Sequence, residues 1–184
     1  MKLVKVFAFF LGAALFSNAV SAQEKTVNVG GAPMYPSKNI IENAVNSKDH
    51  TTLVAAVKAA GLVETLQGAG PFTVFAPTNE AFDKLPKGTV ESLVKPENKE
   101  LLTKILTYHV VAGRYDAKAI GDLIKSGNGK AMLKTVSGST LTFMMKGPKI
   151  IITDEKGGMS TITIKNVYQS NGVIHVIDTV VMPG

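Results

Sequence analysis

The sequence predicts an α+β domain: an antiparallel β-wedge with a layer of short helices packed to one side. Three observations lead there. Between residues 37 and 127, apolar residues recur at helical spacing in short runs stopped by glycine. From residue 131 onward they form short strand-like stretches divided by Ser137-Gly138, Gly147-Pro148, Gly157-Gly158 and Asn171-Gly172. One strand-like stretch, Phe72 to Phe75, is inserted among the helices. Helices first and hairpins afterwards segregate the two element types, as an α+β architecture requires.

Residues 1–22 are set apart from the fold. Lys2 and Lys5 precede an unbroken run of apolar residues and glycine, Val6 to Leu15, and Val20-Ser21-Ala22 closes it with small side chains. This is the pattern of a secretory signal peptide cut after Ala22. The run falls short of the roughly 20 apolar residues that span a bilayer. Once the leader is cut, no membrane span is expected. Residues 23–36 hold two glycines and two prolines and read as a leader strand or linker. Residues 37–184 then form a single domain, long enough to bury roughly 70% of its unfolded surface. With no cysteine, core packing alone must hold it together, and it is expected to be a monomer.

Each element has a local signal. Ser37 is placed to cap a first helix carrying Ile40, Ile41, Ala44 and Val45. Asp49 or Thr51 opens a second, with Leu53, Val54, Val57 and Ala60 inward and Gly61 as its stop. Phe72 to Phe75 is a short buried strand. Thr78 can cap the helix after it, which lets Phe75 and Phe82 pack together. Pro96 suits the start of the strongest helix, whose inward face is Leu101, Leu102, Ile105 and Leu106. Asp116 begins one more helix, ending near Gly127. Five strands follow, the last two joined at Asn171-Gly172, a strong hairpin signal because both residues tolerate positive φ.

Most chemistry is struck out by absence. There is no thiol, no Gly-x-Ser-x-Gly elbow and no His-Glu-x-x-His. Gly127-Asn128-Gly129-Lys130-Ala131 lacks the Ser/Thr and the preceding strand of a phosphate loop. The formal charge is +6, but the lysines are scattered and Arg114 is the single arginine. That argues against nucleic acid and for a solvated surface with mild affinity for anionic envelopes or polysaccharides. Three histidines remain. His50 opens a helix, where local hydrogen bonding or exposure is expected. His175 lies in a strand with Asp178 on the opposite face, so the two cannot form a dyad within it. A His109–His175 metal pair lacks further ligands at metal-ligand spacing. Tyr108-His109 closes the main helix, whose dipole favours a protonated or donating imidazole. The pair reads as a structural joint or as a partner-binding determinant.

Three blocks carry a resemblance. Residues 72–86 (FTVFAPTNEAFDKLP), 101–115 (LLTKILTYHVVAGRY) and 171–183 (NGVIHVIDTVVMP) resemble, in order and spacing, those of the fasciclin domain family, in particular its single-domain secreted bacterial members. The similarity runs from about Ile40 to Pro183. It implies a compact β-wedge with a helical layer and no known general catalytic activity; no cofactor or metal is expected. It also implies adhesion to a cell-surface or matrix protein or polysaccharide. Tyr108 and His109 match a segment implicated in integrin recognition in animal members. Asn166 stands where many relatives carry an acidic residue, so an Asp-Ile type of motif is not preserved. The protein is thus expected to be a secreted or periplasmic adhesion module. The alternatives are an envelope stress-response or small-ligand protein with a pocket between helices and wedge, and a hydrolase built on His109 or His175.

Overall fold

A computed structural model describes residues 24–184; the signal peptide expected over residues 1–22 lies outside the described residues. Val27–Val29 (β1) and Ala32–Met34 (β2) pair as a hairpin about Gly30 and Gly31, both at positive φ. Val29 and Met34 are buried in the core. Of the leader strand or linker expected here, the strand is what forms: from Val27 onward the stretch packs on the core, and its glycines make the hairpin turn.

The helices follow their local chemistry, with shifts at the starts. Ile40–Ala44 (α1) begins at Asn39 rather than Ser37. Asn39 Oδ1 accepts the Glu42 N–H at 2.9 Å and Glu42 Oε2 accepts the Asn39 N–H at 2.8 Å. This reciprocal cap satisfies two otherwise orphaned donors, while the Ser37 hydroxyl turns to Glu24. Thr51–Ala60 (α2) follows a 3₁₀ turn over Lys48–His50 and stops where Gly61 turns left-handed. Val63–Gln67 (α3) leads to the strand Phe72–Pro77 (β3). Thr78 caps Asn79–Asp83 (α4) by accepting the Ala81 N–H at 3.2 Å. Thr89–Leu93 (α5) precedes Lys99–Tyr108 (α6), itself preceded by a 3₁₀ turn at Pro96. At 100° per residue Leu102, Ile105 and Leu106 share one buried face, and Leu101, expected inside, lies beside that stripe and is 49% exposed.

Val110–Ala112 (β4) and Ala117–Ser126 (α7), capped by Asp116, lead into five strands. These are Lys130–Lys134 (β5), Thr140–Lys146 (β6), Lys149–Thr153 (β7), Met159–Gln169 (β8) and Gly172–Ile177 (β9). The seven strands from β3 onward lie in the order β4-β3-β9-β8-β7-β6-β5. A Val111–Thr135 bridge brings the two ends together, curling the sheet into a nearly closed wedge.

All neighbours are antiparallel except β3 and β9, which run parallel from Phe72↔Gly172 to Pro77↔Ile177. The exception follows from burial. Strands covered on both faces carry continuous apolar runs, and such runs suit parallel pairing. Every residue of β9 is buried. Val74, Ala76, Ile174 and Val176 face a core shared with α1 to α6. Phe75 and Ile177 face a second core inside the wedge, with Phe143, Ile152, Ile120 of α7 and Tyr108. Phe75 and Phe82 consequently pack into different cores, contrary to the expectation that they meet. Phe75 instead lies against Phe143, ring centroids 5.2 Å apart.

The β8–β9 turn is made by Ser170 and Asn171, with Gln169 opposite Gly172. Neither Asn171 nor Gly172 has positive φ. Gly172 is required for a different reason: a Cβ there would strike the Phe72 carbonyl oxygen of β3. Asn171 is a buried hub. Its Oδ1 accepts the Ile40 N–H at 3.0 Å, and its Nδ2 donates to the carbonyls of Leu66 and Gly68 at 2.8 and 2.9 Å.

Candidate functional site

Tyr108 and His109 stand where α6 passes into β4. Successive helical side chains point about 100° apart, so the two are sent to different cores. Tyr108 is fully buried in the wedge. Its hydroxyl donates to the Thr140 carbonyl at 2.8 Å and accepts the Glu155 N–H at 3.2 Å. Burial pushes the phenol up to about 12, so it stays protonated at neutral pH.

His109 caps the C-terminus of α6 and is 2% exposed. Its Nδ1–H donates to the Ile105 carbonyl at 2.9 Å. Its Nε2 accepts the Val181 N–H at 3.3 Å. One donor and one acceptor fix a neutral ring in a single tautomer. Burial lowers its pKa to about 4, against the opposing pull of the Ile105 carbonyl and Asp154. The imidazole expected at this helix end is therefore donating but not protonated. The His109 carbonyl also accepts the Phe75 N–H at 2.9 Å, so this residue ties α6 to β3 and to the chain beyond β9. In this conformation neither Tyr108 nor His109 offers side-chain surface to a partner.

The other histidines are interior too. His175 is fully buried, its ring stacked on Phe75 with centroids 5.7 Å apart. Its Nε2–H donates to the Tyr115 carbonyl at 2.8 Å, and its Nδ1 accepts the Asn166 N–H at 3.4 Å. Asp178 instead accepts from Thr161, Ser160 and Thr179. His50 is 3% exposed; its Nδ1 pairs with the Ser47 hydroxyl at 2.9 Å. The local bond expected of it is present and the exposure is not. Among the described residues its Nε2 has no hydrogen-bond partner within ordinary geometry, though the Ala76 backbone is near enough to oppose the fall in its pKa. Burial lowers the pKa of both rings. Both nitrogens of His109 and of His175 are committed to backbone groups. Among the described residues no three His, Asp or Glu side chains cluster as a metal site requires.

His50 and His109 edge an apolar cavity of about 50 Å³ between the helices and the sheet, lined also by Met34, Leu53, Val57 and Ile174. The Gly127–Ala131 segment is the α7–β5 turn, with Asn128 and Gly129 at positive φ. It leads into a strand instead of a helix, so it has no helix N-terminus to hold phosphate. Sequence reasoning missed the Asn171 hub and a second buried polar joint, where Asn43 donates to Gln169 and to the Tyr35 carbonyl. Their partners lie too far along the chain for spacing to reveal.

Comparison with known proteins places this architecture. A model of the Fasciclin domain matches residues 48–183. Protein sll1483 of Synechocystis is 48% identical over 160 residues, which cover 87% of this chain and 82% of its own length. The immunogenic protein MPB70 of Mycobacterium bovis is 37% identical over 146 residues, covering 76% of this chain and 66% of its own. Transforming growth factor-beta-induced protein ig-h3 of Sus scrofa is 30% identical; the match covers 99% of this chain but 26% of that protein. Among solved structures, a FAS1 domain pair from the insect cell adhesion molecule fasciclin I aligns with a TM-score of 0.70 at 15% identity. It covers 85% of this chain and 57% of that one, and at that identity the likeness is one of fold.

Proposed function

This chain belongs to the fasciclin domain family, and from that premise we propose that it is a non-catalytic adhesion module. In this reading it is secreted or periplasmic, with its signal peptide cut after Ala22. It acts as a monomer on a cell-surface or matrix protein or polysaccharide. The family is known from cell-adhesion proteins. The observation that carries the non-catalytic part is the fate of the histidines. All three rings are buried with lowered pKa values, so none offers a proton-transfer group to a substrate at the surface. Among the described residues no helix is long and apolar enough to cross a membrane.

Tyr108 and His109 act in this reading as positioning residues beneath the binding surface, not as contacts. Immobilised protein retaining a partner from envelope extract tests both points. Tyr108→Phe and His109→Gln are expected to lower the melting temperature while keeping the partner below the melt. Loss of the partner at an unchanged melting temperature would restore direct recognition by these side chains. Cells lacking the gene are expected to attach less well; unchanged attachment on every surface tried would count against adhesion.

The small-ligand reading is favoured by one observation, the apolar cavity beside the unpaired Nε2 of His50. Its volume argues against a whole ligand. An engineered apolar cavity that admits benzene is about 150 Å³, roughly three times larger. Native mass spectrometry after gentle purification tests it: a retained mass would revive this reading, and a clean chain mass would dismiss it.

A further inference from the structure

The lysines that look scattered in the sequence are gathered by the sheet. On the outer face of β5 to β8 the register aligns Met132, Thr142, Thr153 and Met159 in one cross-strand row. The adjacent row is Lys130, Met144, Ile151 and Thr161. The opposite, inward side chains of these strands, such as Leu133, Phe143 and Ile152, fill the wedge core with α7. Among the described residues no element lies over the outer face: Met132 is 70% exposed and Met159 64% at its two sides, and Thr142, Met144, Ile151 and Thr161 between them are half-buried.

Charge on this face has one sign. Strands β5 to β8 carry Lys130, Lys134, Lys146, Lys149 and Lys165, all exposed, and not one Asp or Glu. The turns joining them contain two carboxylates, and both are occupied by backbone. Asp154 is buried and accepts from Gly158, Lys156 and Met182. Glu155 accepts from Thr140 and Gly184. At one end Lys149, Thr161, Thr163 and Lys165 frame a shallow depression with Pro148.

We propose that this Met/Ile/Thr face with its lysine rim docks on an anionic lipid bilayer surface. The contact is independent of the adhesion partner proposed above. An exposed apolar patch inside a polar rim marks an interaction surface. Unbranched methionine side chains adapt to an irregular apolar medium. Lysine stems can lie along apolar material while their ammonium groups reach headgroup phosphates. The two aligned rows contain no aromatic ring on which a sugar could stack, so the face suits lipid better than a glycan chain.

Co-sedimentation of the purified chain with vesicles tests this. Vesicles containing phosphatidylglycerol are expected to pellet it at low salt, and phosphatidylcholine vesicles are not. Raising the salt to about 1 M, where charges are screened within about 3 Å, should release it. A lysine near an anionic surface is worth about fivefold in affinity, so Lys149→Ala with Lys165→Ala should weaken binding roughly 25-fold. Met132→Ser with Met159→Ser should weaken it while keeping the salt dependence. Lys95→Ala with Lys99→Ala, on the helical side, should leave it unchanged, and all three pairs should melt as the wild type does. Three outcomes would overturn the proposal: equal binding to neutral vesicles, face variants that bind like the wild type, or retention on alginate beads without vesicle binding. The last would assign the face to an acidic polysaccharide.

Discussion

The backbone N–H of Val181 reaches the Nε2 of His109 at 3.3 Å, across 72 residues of sequence. This bond requires an unprotonated nitrogen. The folded ring titrates at about 4, below the unfolded value of about 6.5. Between those values the unfolded chain binds a proton that the folded chain refuses, so acid favours unfolding. The stability held by the neutral ring is complete above about pH 6.5 and is lost as pH falls toward 4. The gap corresponds to roughly 3 kcal/mol, of which roughly 2 kcal/mol should be gone by about pH 5. His50 and His175 are lowered by burial too and add in the same direction. Urea unfolding at about pH 7 and about pH 5 measures this, and His109→Gln should flatten the slope. A wild-type stability equal at both values would refute the linkage.

Tyr108→Phe keeps the packed ring and removes one oxygen. The Thr140 carbonyl loses a donor and the Glu155 N–H loses an acceptor. We expect a loss of about 1–3 kcal/mol in denaturant unfolding, the usual cost of leaving buried polar groups unpaired. A change within experimental error would mean that water replaces the hydroxyl.

Asn171→Ala removes three hydrogen bonds that join the β8–β9 turn to α1 and to the end of α3. The expected cost is about 3 kcal/mol or more, at about 1 kcal/mol per bond plus the stranded partners. Asn171→Asp should do no better, because a carboxylate cannot donate to the two carbonyls. Amide exchange at Ile40 should accelerate in Asn171→Ala and less in Asn171→Asp, whose carboxylate still accepts that N–H. Protection there equal to the wild type would show that the hub is redundant.

Gly172→Ala tests the closeness of β3 and β9. The added methyl meets a backbone oxygen, Phe72 O, which cannot swing aside as a side-chain tip can. A loss of about 3 kcal/mol is expected, at the upper end for overpacking. A variant that melts within a few degrees of the wild type would mean that the parallel pair can spread.

The local elements were legible because their causes are local. Thr78 and Asp116 cap the helices they precede, and Gly61 stops α2, since each acts within four residues. Two errors were also local. Asn39 outcompeted Ser37 because Glu42 completes its cap, and Leu101 falls at the edge of the stripe that Leu102, Ile105 and Leu106 bury. The parallel β3–β9 pair was not legible, because Phe72 and Gly172 meet across 100 residues of sequence. At the seam, the sequence located Tyr108 and His109 as a joint or a binding determinant, but not their partners. Thr140, Glu155 and Val181 lie in segments whose arrangement only the closed wedge defines. The lysine face was hidden for a related reason: its rows exist only in the cross-strand register.

The position of β9 has a consequence for biosynthesis. This strand leaves the ribosome after every other strand of the sheet, yet it lies between β3 and β8 and closes both cores. Until residues 172–177 emerge, β3 has an open edge and each apolar layer lacks a wall. The domain cannot be completed progressively as the chain is delivered, from the ribosome or across a membrane; its helices and hairpins wait for one late strand to enter the middle. Long-range pairing of this kind slows folding, and it leaves the nascent chain open to chaperone capture until its last stretch arrives.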